Sequence, residues 1–229
     1  MATSGSKNFE LDVAEYIEEA YERCGLEMRT SYDARTIKRS LNILLADWAN
    51  RGLNQWTIQQ NSISMTEGTL SYDLDSTDPT AVIDVLDAFL RRTVDSVNTD
   101  YSIDRISRSE YANIPNKSTK ARPSQYFIDK QITPKIYVYP APENSTDTIH
   151  ANCLIRIDDT DALTNTMEMP FRFYPALAAG LAYYLSLKKA PDRTQMLKGI
   201  YEEEFRRAAD TDEDRASVKI APALRSYTS

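Results

Sequence analysis

The chain has 229 residues, 41% of them hydrophobic, which is enough for one large domain or two small ones. Its 27 lysine and arginine residues against 34 aspartate and glutamate residues give a net charge of −7, which disfavours a surface built to grip nucleic-acid phosphates. Two cysteines and one histidine are too few to build a structural zinc site from one copy of the chain, and they exclude a disulfide framework. The N-terminal residues lack a signal-like pattern, and the longest apolar stretch, 173–187, is too short to span a bilayer. We therefore expect synthesis in the cytoplasm and no membrane association.

Two amphipathic helices are predicted at the N-terminal end. Apolar residues recur at helical spacing from Val13 to Cys24 and again from Ile37 to Trp48, with charged residues on the opposite faces. A glycine stands where each helix should end, Gly25 after a first helix predicted over roughly 10–24 and Gly52 after the second. Because a short linker joins two stripes of similar length, we expect the helices to pack as an αα-hairpin.

After the second helix the hydrophobic period shortens to two, which is typical of strands. The predicted strands cover 56–65, 70–74, 82–91, 124–130, 135–139 and 149–157, with a short helical turn at 108–111. No helix-length pattern separates these strands, so we expect one antiparallel sheet or a small sandwich. Trp48 is predicted to anchor the junction between helices and sheet.

Helical patterning returns after Pro170. Residues 176–187 are apolar on nearly every face, which predicts a helix buried on several sides, and 190–192 should break it. The stripe of the following helix consists of Leu197, Ile200, Tyr201, Phe205 and Ala208. The predicted fold class is α+β: a helical body of two αα-hairpins (9–54 and 170–212) with an inserted antiparallel β domain (55–169).

The last segment, 213–229, changes composition. From residue 215 onward it has three basic residues and no acidic ones, and it keeps apolar residues that a solvating tail would not need. We expect an extended tail that is either disordered or docked onto a partner or a neighbouring copy. The predicted docking residues are Arg215, Val218, Ile220, Leu224, Arg225 and Tyr227.

The sequence offers little reactive chemistry. His150 and Cys153 lie three apart in a predicted strand, so their side chains should point to opposite faces. Two acidic groups, Asp73 with Asp75 and the aspartates at 158–161, could in principle bind Ca²⁺ or act as acid and base, but aspartate is an ordinary turn residue at strand ends. The six glycines are too dispersed for a nucleotide-binding loop. We therefore predict no catalytic residue, cofactor or metal.

Three stretches resemble the head-to-tail adaptors of short-tailed phages, which are also called tail accessory or tail tubular proteins. The first comprises the second helix and its exit, 32–45 and 48–56, the latter with the sequence WANRGLNQW. The second comprises RPSQYFI at 122–128 and IYVYPAP at 136–142, and the third is YPALAAGLAYYL at 174–185. Together the stretches extend over most of residues 9–210, whereas the tail resembles the tails of these proteins only in its general character and not in a motif.

The resemblance implies a structural virion protein with no enzymatic activity. Such proteins form a ring, usually of twelve subunits, seated beneath the portal protein and leading DNA toward the tail nozzle. The helices would form the ring wall, the β domain would face nozzle and tailspike or fibre proteins, and the tail would reach along the portal. About twelve chains at −7 each carry on the order of −80, so double-stranded DNA would pass through the lumen without specific binding.

Two other functions remain open from the sequence. The scattered aspartate and glutamate pairs would suit a cell-wall hydrolase acting during entry. A prophage-derived scaffolding module would use the tail to dock a different partner. Gene neighbourhood separates this last alternative from an adaptor, because an adaptor gene should lie beside portal and capsid genes.

Overall fold

The computed structural model describes residues 5, 11–27, 31–51, 55–78 and 80–212. Its helices are α1 (Val13–Arg23), α2 (Ser31–Asn50), α3 (Arg108–Asn113), α4 (Tyr174–Lys189) and α5 (Thr194–Asp212). Its strands are β1 (Ile58–Ser64), β2 (Ser71–Asp73), β3 (Val82–Val94), β4 (Val97–Ser102), β5 (Asp104–Arg105), β6 (Gln125–Asp129), β7 (Lys135–Tyr139) and β8 (Thr148–Ile155). The predicted α+β class is confirmed.

Helix α4 lies at the centre of the helical part. Its residues Ala176 through Ala182 are all buried, because α1, α2 and α5 pack against different faces of it. The prediction of a helix buried on several sides is confirmed. Helix α1 contacts α4 more extensively than it contacts α2, so the pairing of α1 with α2 as a hairpin stays a prediction. No helix in the described ranges is both long and apolar enough to cross a membrane.

Helices α1 and α2 bury the predicted apolar stripes. Helix α1 begins at a reciprocal pair of hydrogen bonds, in which the Glu15 amide donates to the Asp12 carboxylate and the Asp12 amide donates to Glu15, both at 2.9 Å. It ends at Arg23, and Gly25, just after the Cys24 cap, has a φ of 68°, the left-handed conformation expected there. Tyr16 is also buried, although it lies outside the predicted stripe. The predicted stop at Gly52 lies outside the described residues.

Two side chains of the helical part differ from expectation. Ile200 is 41% exposed, because it lies about 100° around the helix from its buried neighbour Tyr201. Trp48 does not anchor a junction with the sheets. It is fully buried among the helices, where its Nε1 donates a hydrogen bond to the Tyr201 hydroxyl at 2.9 Å and its ring packs against Phe173 and Phe205.

The strands form two four-stranded sheets, ordered β1-β8-β3-β4 and β2-β7-β6-β5. Both sheets contribute to one hydrophobic core, with Val85 and Ile149 from the first and Ile136 and Val138 from the second. This arrangement agrees with the sandwich rather than the single-sheet alternative. The helices have a separate hydrophobic core.

The prediction of a wholly antiparallel β domain is wrong at one edge. Strand β5 pairs with β6 in parallel, with Asp104 opposite Gln125. The connection through 106–124, which contains α3, supplies the crossover that a parallel pair requires. Strand β4 was also not predicted, since it is mostly exposed and shows no alternation. A tight turn joins β3 to β4. Asp95 and Ser96 in this turn both have positive φ, which aligns the two strands as an antiparallel pair.

Candidate interaction surfaces

The six predicted docking residues lie outside the described residues, but Asp212, the last described residue before them, has a defined position, which we call the exit point. Helix α5 ends at Asp212, whose side chain is only 4% exposed. The Asp212 carboxylate accepts a hydrogen bond from the backbone N of Gln55 at 2.7 Å and forms an ion pair with the Arg172 guanidinium. The exit point therefore lies beside the turn Phe171–Phe173, just before α4.

A groove of about 800 Å³ runs between α1 and the beginning of α4, next to this exit point. The face of α1 toward the groove carries four exposed glutamates, namely Glu15, Glu18, Glu19 and Glu22. The opposite wall is apolar and includes Phe171, which is 66% exposed, and Pro175. An apolar cleft with an acidic wall suits a segment that is both apolar and basic. Periodicity predicted the outward glutamates, but it gave no sign of the apolar wall.

Polar groups without partners lie in and near this groove. Tyr16 lines the groove, is 1% exposed, and its hydroxyl has no hydrogen-bond partner among the described residues. Burial raises the pKa of Tyr16 above its ordinary range. The Nε atom of Arg172, beside the exit point, likewise has no hydrogen-bond partner in the described part of the chain. Leaving a buried polar group unsatisfied costs about 1–3 kcal/mol.

Arg51 ties the end of α2 to α5. Its guanidinium donates to both carboxylate oxygens of Glu202, at 2.8 and 3.1 Å, and to Asp47 at 2.8 Å. It also lies over the rings of Tyr201 and Phe205, 4.9 and 5.0 Å from their centroids. The hydrogen bond with Glu202 raises the pKa of Arg51 and lowers that of Glu202. This network fixes the end of α2 to α5.

The β part exposes apolar side chains at its tips. Val94 and Val97, which flank the β3–β4 turn, are 58% and 64% exposed, and Ile132 in the loop before β7 is 86% exposed. Single exposed apolar residues are common on protein surfaces. The two adjacent valines at the end of a hairpin nevertheless make this tip a candidate contact surface.

The predicted separation of His150 and Cys153 is confirmed. Cys153 points into the sheet core, where burial raises the pKa of its thiol to about 12. His150 lies on the outer face, stacked on Phe89 with ring centroids 5.1 Å apart and 3.0 Å from the Ser62 hydroxyl. Burial lowers the pKa of His150. A thiol with so high a pKa is not a nucleophile at neutral pH.

The acidic groups are distributed as turn residues and ion pairs. Asp73 pairs with Lys135 at 3.1 Å, and Asp75 accepts hydrogen bonds from the backbone amides of the following turn. The sequence pointed to the aspartates at 158–161 but missed Glu168, which shares a hydrogen bond with Asp158 that raises the pKa of Glu168. Among the described residues, no group of three or more histidines, cysteines, aspartates or glutamates is placed to hold a metal ion.

The described part of the protein presents an open groove between α1 and the beginning of α4, and an aromatic and ionic network that joins α2 to α5. Comparison with protein families identifies it further. The chain matches the family described as SU10 adaptor protein over residues 11–225, nearly its full length, and belongs to that family. It is a structural phage protein of the head-to-tail adaptor type and a component of the virion. A search of curated proteins finds no match.

Family membership confirms the predicted resemblance to head-to-tail adaptors, and it implies interaction with portal and tail components. The narrower prediction of a short-tailed phage stays a prediction. The family match continues beyond α5 as far as residue 225. It therefore includes five of the six predicted docking residues, from Arg215 to Arg225, and stops before Tyr227.

Proposed function

We propose that this protein forms the head-to-tail adaptor ring of a short-tailed phage. About twelve copies sit beneath the portal protein, carry the tail nozzle, and enclose part of the DNA ejection channel. The match to the SU10 adaptor protein family over residues 11–225 carries this proposal. The chain is made in the host cytoplasm and functions at the head–tail interface of the virion.

In this proposal the chain divides into two structural parts and a tail. The helical part, 9–54 and 170–212, forms the ring wall, and the β part, 55–169, faces the nozzle and tailspike or fibre proteins. Separate hydrophobic cores for helices and sheets support this division. The two parts also contact each other, because Asn42 on α2 exchanges two 3.1 Å hydrogen bonds with the backbone of Thr160. The ring can thus transmit the position of the portal to the nozzle.

The tail, 213–229, makes the portal contact in the assembled ring. Its basic and apolar residues, and the continuation of the family match through residue 225, support this role. A segment that becomes ordered on binding loses conformational entropy at that moment, so the contact between tail and portal forms only when the portal is present. The net charge of −7 per chain keeps the lumen from binding DNA, so the genome slides through it.

We propose no enzymatic activity. The Asp158–Glu168 pair is the strongest candidate for acid–base chemistry in the described residues, but both groups are exposed to solvent. A general acid with a raised pKa normally lies in a dry cleft. A cell-wall hydrolase would digest purified peptidoglycan and lose that activity in Glu168→Gln, and we expect no digestion by either protein.

Mixing the purified chain with the portal protein encoded beside it in the phage genome tests the proposal. We expect electron microscopy to show a closed ring attached to the portal. A chain lacking 215–229 should fail to attach, whereas Glu203→Gln, an exposed change on α5, should attach normally. A chain that stays unattached, with or without the tail, would contradict the adaptor proposal. A ring that forms equally well without the tail would contradict the assigned role of the tail.

A further inference from the structure

We infer that, before assembly, residues 215–229 dock into the groove of their own chain, between α1 and the beginning of α4. This goes beyond the proposed function, in which the same segment contacts the portal. The groove holds the tail in the free chain, and the portal competes for it. The tail is therefore withheld from neighbouring copies until a portal is present.

The position of the exit point places the tail beside the groove. Asp212 is fixed by Arg172 and by the backbone of Gln55, so the tail begins at a defined place. Phe171, the neighbour of Arg172, is part of the apolar wall of the groove. Helix α1 has 11 residues and is about 16 Å long, whereas residues 213–229 can extend to about 55 Å. The tail thus reaches the full length of the groove, at the high effective concentration of a tethered segment.

Charge and hydrophobicity of tail and groove are complementary. The tail carries Arg215, Lys219 and Arg225 and no acidic residue from 215 onward. Glu18 and Glu22 on α1 are exposed and form no hydrogen bond or ion pair with the described residues. Apolar tail residues alternate with the basic ones and can cover the exposed apolar wall of the groove.

The unpartnered hydroxyl of Tyr16 is an independent indication of an occupant. Tyr16 is nearly completely buried, yet its hydroxyl finds no partner in the described part of the chain. Tyrosine hydroxyls in such positions usually have one. A segment docked in the groove offers backbone carbonyl and amide groups along its length, and a small shift of the side chains that cover the Tyr16 hydroxyl brings one of these groups within hydrogen-bond distance.

Disulfide trapping tests whether the tail of the same chain occupies the groove. In Glu18→Cys/Ser226→Cys, oxidation at low protein concentration should give an intrachain disulfide, seen as a faster-migrating monomer on a non-reducing gel. The two native cysteines are buried, so the parent chain gives the background. The matched control, Glu203→Cys/Ser226→Cys, places the partner cysteine on the exposed face of α5 and should form the disulfide much more slowly. Equal rates in both variants, or disulfides only between chains, would overturn the inference, the latter in favour of a second copy.

Proteolysis tests the charge complementarity. Trypsin cuts after Arg215, Lys219 and Arg225, and docking should protect these sites. We expect Glu18→Gln/Glu22→Gln to speed cleavage of the tail about fivefold, the change expected when a few surface charge contacts are lost. Glu203→Gln/Glu204→Gln, with the same change in net charge on α5, should leave the rate unchanged. Equal rates in both double variants would overturn the inference. No portal is present in either assay, so a failure of the adaptor proposal would leave these results unaffected.

Discussion

At the scale of single residues, Trp48 connects segments that are far apart in the chain. Its indole lies between Phe173 and Phe205, and its Nε1 donates to the Tyr201 hydroxyl. Arg51, which follows the last residue of α2, lies over two rings of the same aromatic group and pairs with Glu202. The Trp48 side chain thus fixes α2 against α5 from inside the core, and Arg51 does so from the surface.

Trp48→Ala should lower the free energy of unfolding by about 3–5 kcal/mol, since it leaves a large cavity and removes the partner of the buried Tyr201 hydroxyl. Urea denaturation followed by circular dichroism measures the loss. Tyr201→Phe is the matched control, because it removes the hydrogen bond but keeps the ring, and it should cost about 1–3 kcal/mol. A loss below about 1 kcal/mol for Trp48→Ala would contradict the packing described here.

At the scale of elements, α4 is shaped by what packs around it. A Cβ atom at Gly180 would lie 2.8 Å from Cε2 of Tyr201 and 2.9 Å from Cδ2 of Leu44. Both neighbours are fully buried, so neither can move aside easily. The absence of a side chain at this position allows α2 and α5 to approach α4 together.

Gly180→Ala should therefore destabilise the protein by up to about 2 kcal/mol, because overpacking costs about 1–3 kcal/mol and the better helix propensity of alanine offsets about 1 kcal/mol of it. Gly199→Ala on α5 is the matched control, because no atom lies within 4 Å of the added Cβ. It should stabilise the protein by up to about 1 kcal/mol. Thermal or urea unfolding of the two variants gives the comparison, and stabilisation by both would show that the close contact at Gly180 is absent.

The elements that could be predicted from the sequence are those marked by a local pattern of residues. The buried stripes of α1 and α2 follow from helical periodicity, and the multiple contacts of α4 follow from its apolar faces. Strand β5 has two residues and pairs with a strand reached only through α3, so no local pattern marks it. The groove brings Phe171 next to α1 through the packing of distant segments. Sites of this kind depend on tertiary contacts and could not be predicted from spacing alone.

At the scale of the whole molecule, two opposing electrostatic effects determine the response to pH. The first effect is repulsion among carboxylates, which follows from the net charge of −7 and favours protonation of these groups in the folded chain. At the Asp158–Glu168 contact, the hydrogen bond with Asp158 raises the pKa of Glu168. Acid should relieve this repulsion and stabilise the fold. Several other carboxylates have lowered pKa values because cations or hydrogen-bond donors hold them, namely Glu67, Asp78, Asp84, Asp100, Glu110 and Glu202.

A carboxylate whose pKa is lowered by folding contributes its full stabilisation above the pKa of the unfolded chain and loses it as the pH falls through the folded value. Burial by itself would raise the pKa of Asp84, but hydrogen bonds from Lys130, the Val85 amide and Arg105 outweigh it. The lowered pKa of His150 acts in the same direction from about pH 6.5 downward, since the unfolded chain takes up that proton more readily. More groups therefore lose stabilisation in acid than gain it.

We therefore expect the urea midpoint to fall slightly below about pH 6.5 and steeply below about pH 4, where the carboxylates of the unfolded chain begin to protonate. Denaturation curves at a series of pH values measure it. Asp84→Asn should flatten the acid limb, because it removes one carboxylate that is held by two cations at 2.7 and 2.9 Å. Asp95→Asn, in the exposed β3–β4 turn, is the control and should leave the limb unchanged. A midpoint that rises on acidification would mean that repulsion among the surplus carboxylates outweighs the ion pairs. The free chain would then be less stable at neutral pH than in acid.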